Sequence, residues 1–127
     1  MNDKRHHPRI NECAEVTVNI KAAPGFQDLE NKTYSCHTTD VSLRGVQLHI
    51  DTNIQVGTLL ELVIEFEHLT EKFMHFGNVV WLHESSDAGT EQKKWYNIGI
   101  RFDVSSNPQY KSWVLTVTEL LGSTELT

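Results

Sequence analysis

Cysteine is scarce in these 127 residues, with Cys13 and Cys36 the only two. A disulfide-stapled domain needs more, and nothing in the sequence requires these two to pair. Long apolar runs are missing as well. The best candidate, Leu59 to Phe66, is broken by Glu61 and Glu65 and falls far short of the ~20 residues that cross a bilayer. The basic N-terminus has no apolar stretch behind it, so no secretory signal is expected. These absences favour a soluble, cytoplasmic protein without membrane insertion. Positive charge is also in deficit, with 11 Lys and Arg against 17 Asp and Glu and a net charge of −6. Nucleic-acid binders present extended basic surfaces, so neither DNA nor RNA is an expected partner.

Catalytic spacings are missing too. There is no Gly-x-Ser-x-Gly elbow, and Cys13 and Cys36 lack an activating neighbourhood. The seven histidines show neither His-x-x-x-His nor Cys-x-x-Cys company, although His37 and His49 could meet across adjacent strands. Surface histidines and a solvent-facing row of Glu61, Glu65 and Glu67 are the simpler account. The chain reads as a binding module, not an enzyme, with no metal and no cofactor.

What is present is alternation. Ala14, Val16, Val18 and Ile20 alternate with Glu15, Thr17, Asn19 and Lys21, the period of a half-buried strand. Pro24, Gly25, Asp28 and Asn31 mark a loop over 22–31. Strand-like composition returns over 32–39, 46–50, 60–66, 73–82 and 95–102, with a polar loop over 85–93. Asn107 suits a helix N-cap and Pro108 the first helical position. From there Tyr110, Trp113, Val114, Val117, Leu120 and Leu121 lie along one helical face, and Gly122 suits its end. The expected fold is mainly β: a six-stranded antiparallel barrel with a flexible N-terminal leader and a C-terminal helix. Its divisions are a leader over 1–12, a barrel over 13–103, and a helix and tail over 104–127.

Charge is unevenly placed. In residues 1–10, Lys4, Arg5 and Arg9 against Asp3 make +2, so the rest of the chain carries −8. A small positive leader on an acidic body suits one compact anion better than a long polyanion. A merely solubilising leader would have the same composition.

Two short motifs sharpen this. The leader holds Arg5-x-x-x-Arg9, and residues 40–45 read Asp40-Val41-Ser42-Leu43-Arg44-Gly45, or D-x-S-x-x-G. Further on come Gly77-Asn78-Val79-Val80-Trp81 and Tyr96-Asn97-Ile98-Gly99-Ile100-Arg101-Phe102. In this order the four resemble the PilZ domain, a bacterial receptor fold for the second messenger cyclic di-GMP. The likeness runs over about residues 4 to 103, and several motifs in sequence are far more specific than one.

The resemblance implies a ligand with two phosphodiester charges and two guanines, and the residue types suit it. A guanidinium matches phosphate oxygens, or guanine O6 and N7, with two parallel hydrogen bonds, which a lysine cannot do. Arg5 and Arg9 are therefore the expected cation clamp. Pro8 disfavours helix at His7 and keeps that segment extended. Asp40 can accept guanine N1–H and N2–H, making it the specificity residue. If the strand continues through residue 42, Ser42 shares the face of Asp40 and reaches a guanine amino group or a phosphate oxygen. Gly45 is expected to permit a positive φ and the close approach of a base or backbone. The competing account is a plain turn, since Asp and Ser before Gly often bond to local backbone. Arg44 reads as a solvated rim residue.

Lys4 occupies a position that, by the resemblance, tunes whether one or two stacked ligands bind, and it matches neither pattern. Trp81 has two readings, an aromatic face beside the pocket or a core residue. The functional expectation is a cyclic di-GMP receptor that changes shape on binding and signals to a separate downstream protein, in motility or biofilm regulation. The alternative is an adaptor of the same fold that binds proteins without any nucleotide. An oligonucleotide-binding barrel is a third class, disfavoured by the acidic body.

Overall fold

Apolar–polar alternation becomes a closed barrel in the computed structural model, which describes residues 14–85, 94–105 and 107–125. The expectations on Lys4, Arg5, Arg9 and Cys13 lie outside those residues. The strands are β1 (Ala14–Ala22), β2 (Thr33–Val41), β3 (Gly45–Ile50), β4 (Leu59–Phe66), β5 (Lys72–Glu84) and β6 (Tyr96–Phe102), followed by helix α1 (Tyr110–Glu125). They close in the order β1-β2-β3-β6-β5-β4, every pair antiparallel. Closure leaves no edge strand to be capped or blocked. Inward residues such as Val16, Val18, Ile20, Leu48, Ile50, Leu60, Leu62, Ile64 and Ile98 are almost wholly buried. His37 does stand opposite His49 in the β2–β3 register.

The strand order sorts the connections by end. The β2–β3 turn, the β4–β5 turn, the start of β1 and α1 all gather at one end of the barrel. There α1 plugs the opening with Trp113, which has no solvent exposure and contacts Phe66, Phe73, His75 and Phe102 at ring-centroid distances of 4.6–5.8 Å. Truncating a tryptophan buried like this costs about 3–5 kcal/mol.

The helix begins as its sequence indicates. Asn107 Oδ1 accepts from the Gln109 N–H at 2.8 Å, a side-chain N-cap that leaves Pro108 in the first turn. β6 ends at Phe102 opposite Gly77, so β5 residues 72–76 have no strand on that side. The helix entry takes over: Gln109 Oε1 accepts from Met74 N, Gln109 Nε2 donates to Lys72 O, and Asn107 Nδ2 donates to Met74 O. Backbone groups that β6 would have paired are satisfied by two amide side chains. One expectation fails here. Gly122 does not end the helix, which continues to Glu125. A glycine costs only about 1 kcal/mol inside a helix, too little to stop one without further breaking signals.

Candidate functional site

Two β-bulges build the candidate site. In β2, Cys36 and Thr38 point inward, and strict alternation would send Asp40 in after them. The register slips between Thr38 and Asp40, so Asp40 pairs with outward Gln47 and Val41 turns inward opposite Val46. In β5, Phe73, His75, Gly77 and Val79 point inward, and Trp81 would be next. A slip between Val79 and Trp81 turns the indole outward instead, opposite Gly99. Each extra residue reverses the facing of the side chains beyond it. A carboxylate and an indole that simple alternation would send into the core thus stand half-buried on the outer wall, with Oδ1 of Asp40 covered.

They meet at one cleft. Asp40, Ser42, Arg44, Gly45, Gln47, Val80, Trp81, Gly99 and Arg101 all line it. Its volume is about 180 Å³, below the roughly 300–1,000 Å³ of pockets that enclose a whole small ligand. A shallower depression adjoins it, lined by Thr39, Gln47, Trp81, His83 and Asn97, so Trp81 and Gln47 border both. Beyond Trp81, the His83 ring meets the indole edge-on at 5.3 Å. Farther along the same outer wall His49 stacks on Trp95 at 4.8 Å and bonds Asn97 Oδ1 through Nδ1.

The expected residues of the D-x-S-x-x-G motif are brought together, with two revisions. Ser42 is a turn former: its N–H and its hydroxyl both donate to Gly45 O, at 3.0 and 3.1 Å. The local-turn account of this serine is therefore correct as far as it goes. With its proton engaged, the hydroxyl oxygen can still accept from an incoming N–H. Gly45, in turn, does not have a positive φ; among the described glycines only Gly25 and Gly57 do. It is needed for space, since a Cβ there would collide with the Ile100 carbonyl across the β3–β6 ladder. The core reading of Trp81 is also excluded by its outward, half-exposed position.

Arg101 was missed as a site residue. It lies opposite Gly45 on the outer face and adds a second exposed guanidinium to that of Arg44. The signal was legible: Ile98, Ile100 and Phe102 point inward, so Asn97, Gly99 and Arg101 had to point out. Gly99 is the floor under Trp81, because a Cβ there would run into the indole ring.

The cleft also lies beside the root of the leader. β1 pairs with β2, and Ala14 N donates to Thr38 Oγ1 at 2.9 Å, two residues before Asp40. Elsewhere, burial and Asp51 push the Cys36 thiol up to about 12, which leaves it protonated and unreactive. Among the described residues no group of three or more His, Cys, Asp or Glu is placed to hold a metal ion. None of their helices is long and apolar enough to cross a membrane.

Comparison with known proteins supplies the family and the fold. The family model described as the PilZ domain matches residues 3–116. The chain belongs to the PilZ domain family. Among solved structures this PilZ chain is similar to the Bacillus subtilis inhibitor of motility MotI/DgrA, with a TM-score of 0.70 at 12% identity over 99% of this chain and 54% of that one. It is also similar to the PilZ domain of Escherichia coli YcgR, determined with c-di-GMP, with a TM-score of 0.65 at 17% identity over 96% and 95% of the two chains. The K. pneumonia MrkH–c-di-GMP complex gives a TM-score of 0.66 at 15% identity over 98% of this chain and 56% of that one. At such identities the likeness establishes the fold. The chain spans about half the length of the MotI and MrkH chains. A search of curated proteins finds no match.

Proposed function

We propose that this PilZ chain is a receptor for cyclic di-GMP, with Asp40, Ser42 and Gly45 forming the barrel half of the site and Arg5 and Arg9 the leader half. The observation that carries the reading is the gathering of Asp40, Ser42, Gly45 and Trp81 on one cleft beside the point where the leader joins the barrel. Arg9 stands five residues before Ala14 and Arg5 nine. A fully extended chain reaches about 17 and 30 Å over those spans, ample to bring both guanidiniums to the cleft. The small volume of the cleft fits this division, because a two-base ligand then needs contacts from outside it.

Roles follow from donor and acceptor chemistry. Asp40 accepts guanine N1–H and N2–H. Ser42, its proton engaged by Gly45 O, serves as an acceptor for a guanine amino group, not as a donor to phosphate. Arg5 and Arg9 supply forked bonds to phosphate oxygens and guanine edges. Trp81 offers a face for stacking, worth about 1–3 kcal/mol per base. Lys4 adds charge beside the clamp. Ordering the leader costs conformational entropy, so the leader closes only when these contacts exceed it.

In this reading the ligand-bound surface is the signal, a separate protein reads it, and motility control is the setting. The likeness to an inhibitor of motility supports that setting. The protein acts by binding, without catalysis or a resident cofactor. MrkH is described as a c-di-GMP-dependent transcription regulatory factor, a role this reading does not carry over, given 15% identity and an acidic body.

Titration calorimetry with cyclic di-GMP, cyclic di-AMP, GTP and short single strands tests the proposal. Micromolar or tighter binding of the first alone is expected, about −8 kcal/mol or better. Absence of heat with every nucleotide would reject the receptor and leave a nucleotide-independent adaptor.

A further inference from the structure

Leu43 sits in the middle of the D-x-S-x-x-G turn, yet its backbone is committed elsewhere. Its carbonyl accepts from the Tyr110 hydroxyl at 3.0 Å and from Trp113 Nε1 at 3.2 Å. A carbonyl has two lone pairs, so both are used. The two donors stand three residues apart on the first turn of α1 and share its inner face. On either side the turn is closed by the bonds from Ser42 to Gly45 O and by the Phe102 N–H donating to Arg44 O at 2.8 Å. Neither Tyr110 nor Trp113 lines the cleft. The half-buried Tyr110 is otherwise packed against the core, so its hydroxyl is not needed to hide its ring.

We propose that Tyr110 and Trp113 are positioning residues: they hold the Leu43 carbonyl, fix the turn that presents Ser42 and Gly45, and couple the cleft to the docking of α1. The ligand half of this proposal rests on the reading of the cleft as a cyclic di-GMP site. Coupling of this kind is reciprocal, so whatever firms the turn also firms the seat of the helix.

Substitution at Trp113 would open the core, so the informative variant is Tyr110→Phe, which keeps the ring and removes one donor. Amide exchange in the ligand-free full chain is the first arm. The Ser42 and Phe102 amides should exchange about three- to tenfold faster in the variant, while core amides such as Ile64 keep their rates. Unchanged rates at Ser42 and Phe102, or equal acceleration at Ile64, would overturn the positioning role.

The second arm is cyclic di-GMP titration followed by the Trp113 indole N–H resonance. That resonance should move on saturation of the wild type, and the Kd of Tyr110→Phe should rise about three- to tenfold. A stationary resonance or an unchanged Kd would overturn the coupling. If the wild type takes up no cyclic di-GMP at all, the receptor reading fails, and the exchange arm still decides whether the helix positions the turn.

Discussion

Trp81 stands directly over Gly99 across the β5–β6 ladder, so close that a Cβ on Gly99 would fall 2.8 Å from indole Cδ1 and nearer still to other ring atoms. Gly99→Ala should therefore push the indole off the wall. Because the ring is half-exposed it can move, and the expected stability loss is about 1–2 kcal/mol, at the lower end for overpacking. Gly45→Ala meets the Ile100 backbone carbonyl instead, which cannot step aside without breaking the β3–β6 pairing. A loss of about 3 kcal/mol or more is expected there. Urea unfolding of the two variants checks the order, with Gly45→Ala the less stable.

Asp40 and the leader arginines should behave as a set. Arg5→Ala, Arg9→Ala and Asp40→Ala are each expected to weaken cyclic di-GMP binding by about ten- to a hundredfold, since charge-assisted hydrogen bonds contribute roughly 1.5–3 kcal/mol. Asp40 is turned away from the core by the β2 bulge, so Asp40→Ala should leave the thermal midpoint within a few degrees of wild type. Calorimetry on folded variants is the measurement. Full affinity in all three would remove the assigned site.

His75 predicts an acid-sensitive fold. It is almost fully buried, stacked on Phe102 at 3.8 Å, and accepts at Nδ1 from Asn107 Nδ2 at 2.9 Å. Its proton is thereby placed on Nε2, which has no hydrogen-bond partner among the described residues. Desolvation lowers its pKa to about 4 from an ordinary value near 6.5. Between those values the unfolded chain binds a proton that the fold does not. Stability is then complete above about pH 6.5 and falls as pH drops toward 4, by about 3 kcal/mol for this residue alone. Urea midpoints from pH 7.5 to 4 should show that slope, and His75→Gln should flatten it.

Asn107 makes three side-chain bonds that tie the helix entry to β5, which makes its substitution separable. It caps α1 through Gln109 N–H, donates to Met74 O, and donates to His75 Nδ1. Asn107→Ala should cost about 2–4 kcal/mol, a lost cap plus partners left unsatisfied. Asn107→Asp keeps the capping oxygen and loses the donors, so it should recover only the cap, about 1 kcal/mol. Thermal unfolding at pH 7.5 distinguishes them; equal midpoints of the two variants would mean that the cap contributes nothing, and an Asn107→Asp midpoint equal to that of wild type would mean the same of the bonds to β5.

Strand positions, the helix and its Asn107 cap were legible because each depends on local rules, period-two alternation in the strands and a short polar side chain before an apolar helical face. The four motifs carried the family for a related reason, since they are contiguous in the chain. Arg101 was equally legible from the alternation of β6, which places it outward with Asn97 and Gly99. By contrast, the true role of Gly45 depends on a carbonyl 55 residues away, and no local signal reveals it.

The residues alone settled that this is a β-rich PilZ chain with a basic leader, because composition, periodicity and motif order are properties of neighbours in sequence. Only the tertiary structure decided which way Asp40 and Trp81 face, what Gly45 and Gly99 make room for, and that the Leu43 carbonyl is held by a helix. Those outcomes turn on one-residue slips between paired strands and on contacts across the closed barrel. Register and closure are set by the whole core packing at once, which no short stretch of sequence encodes.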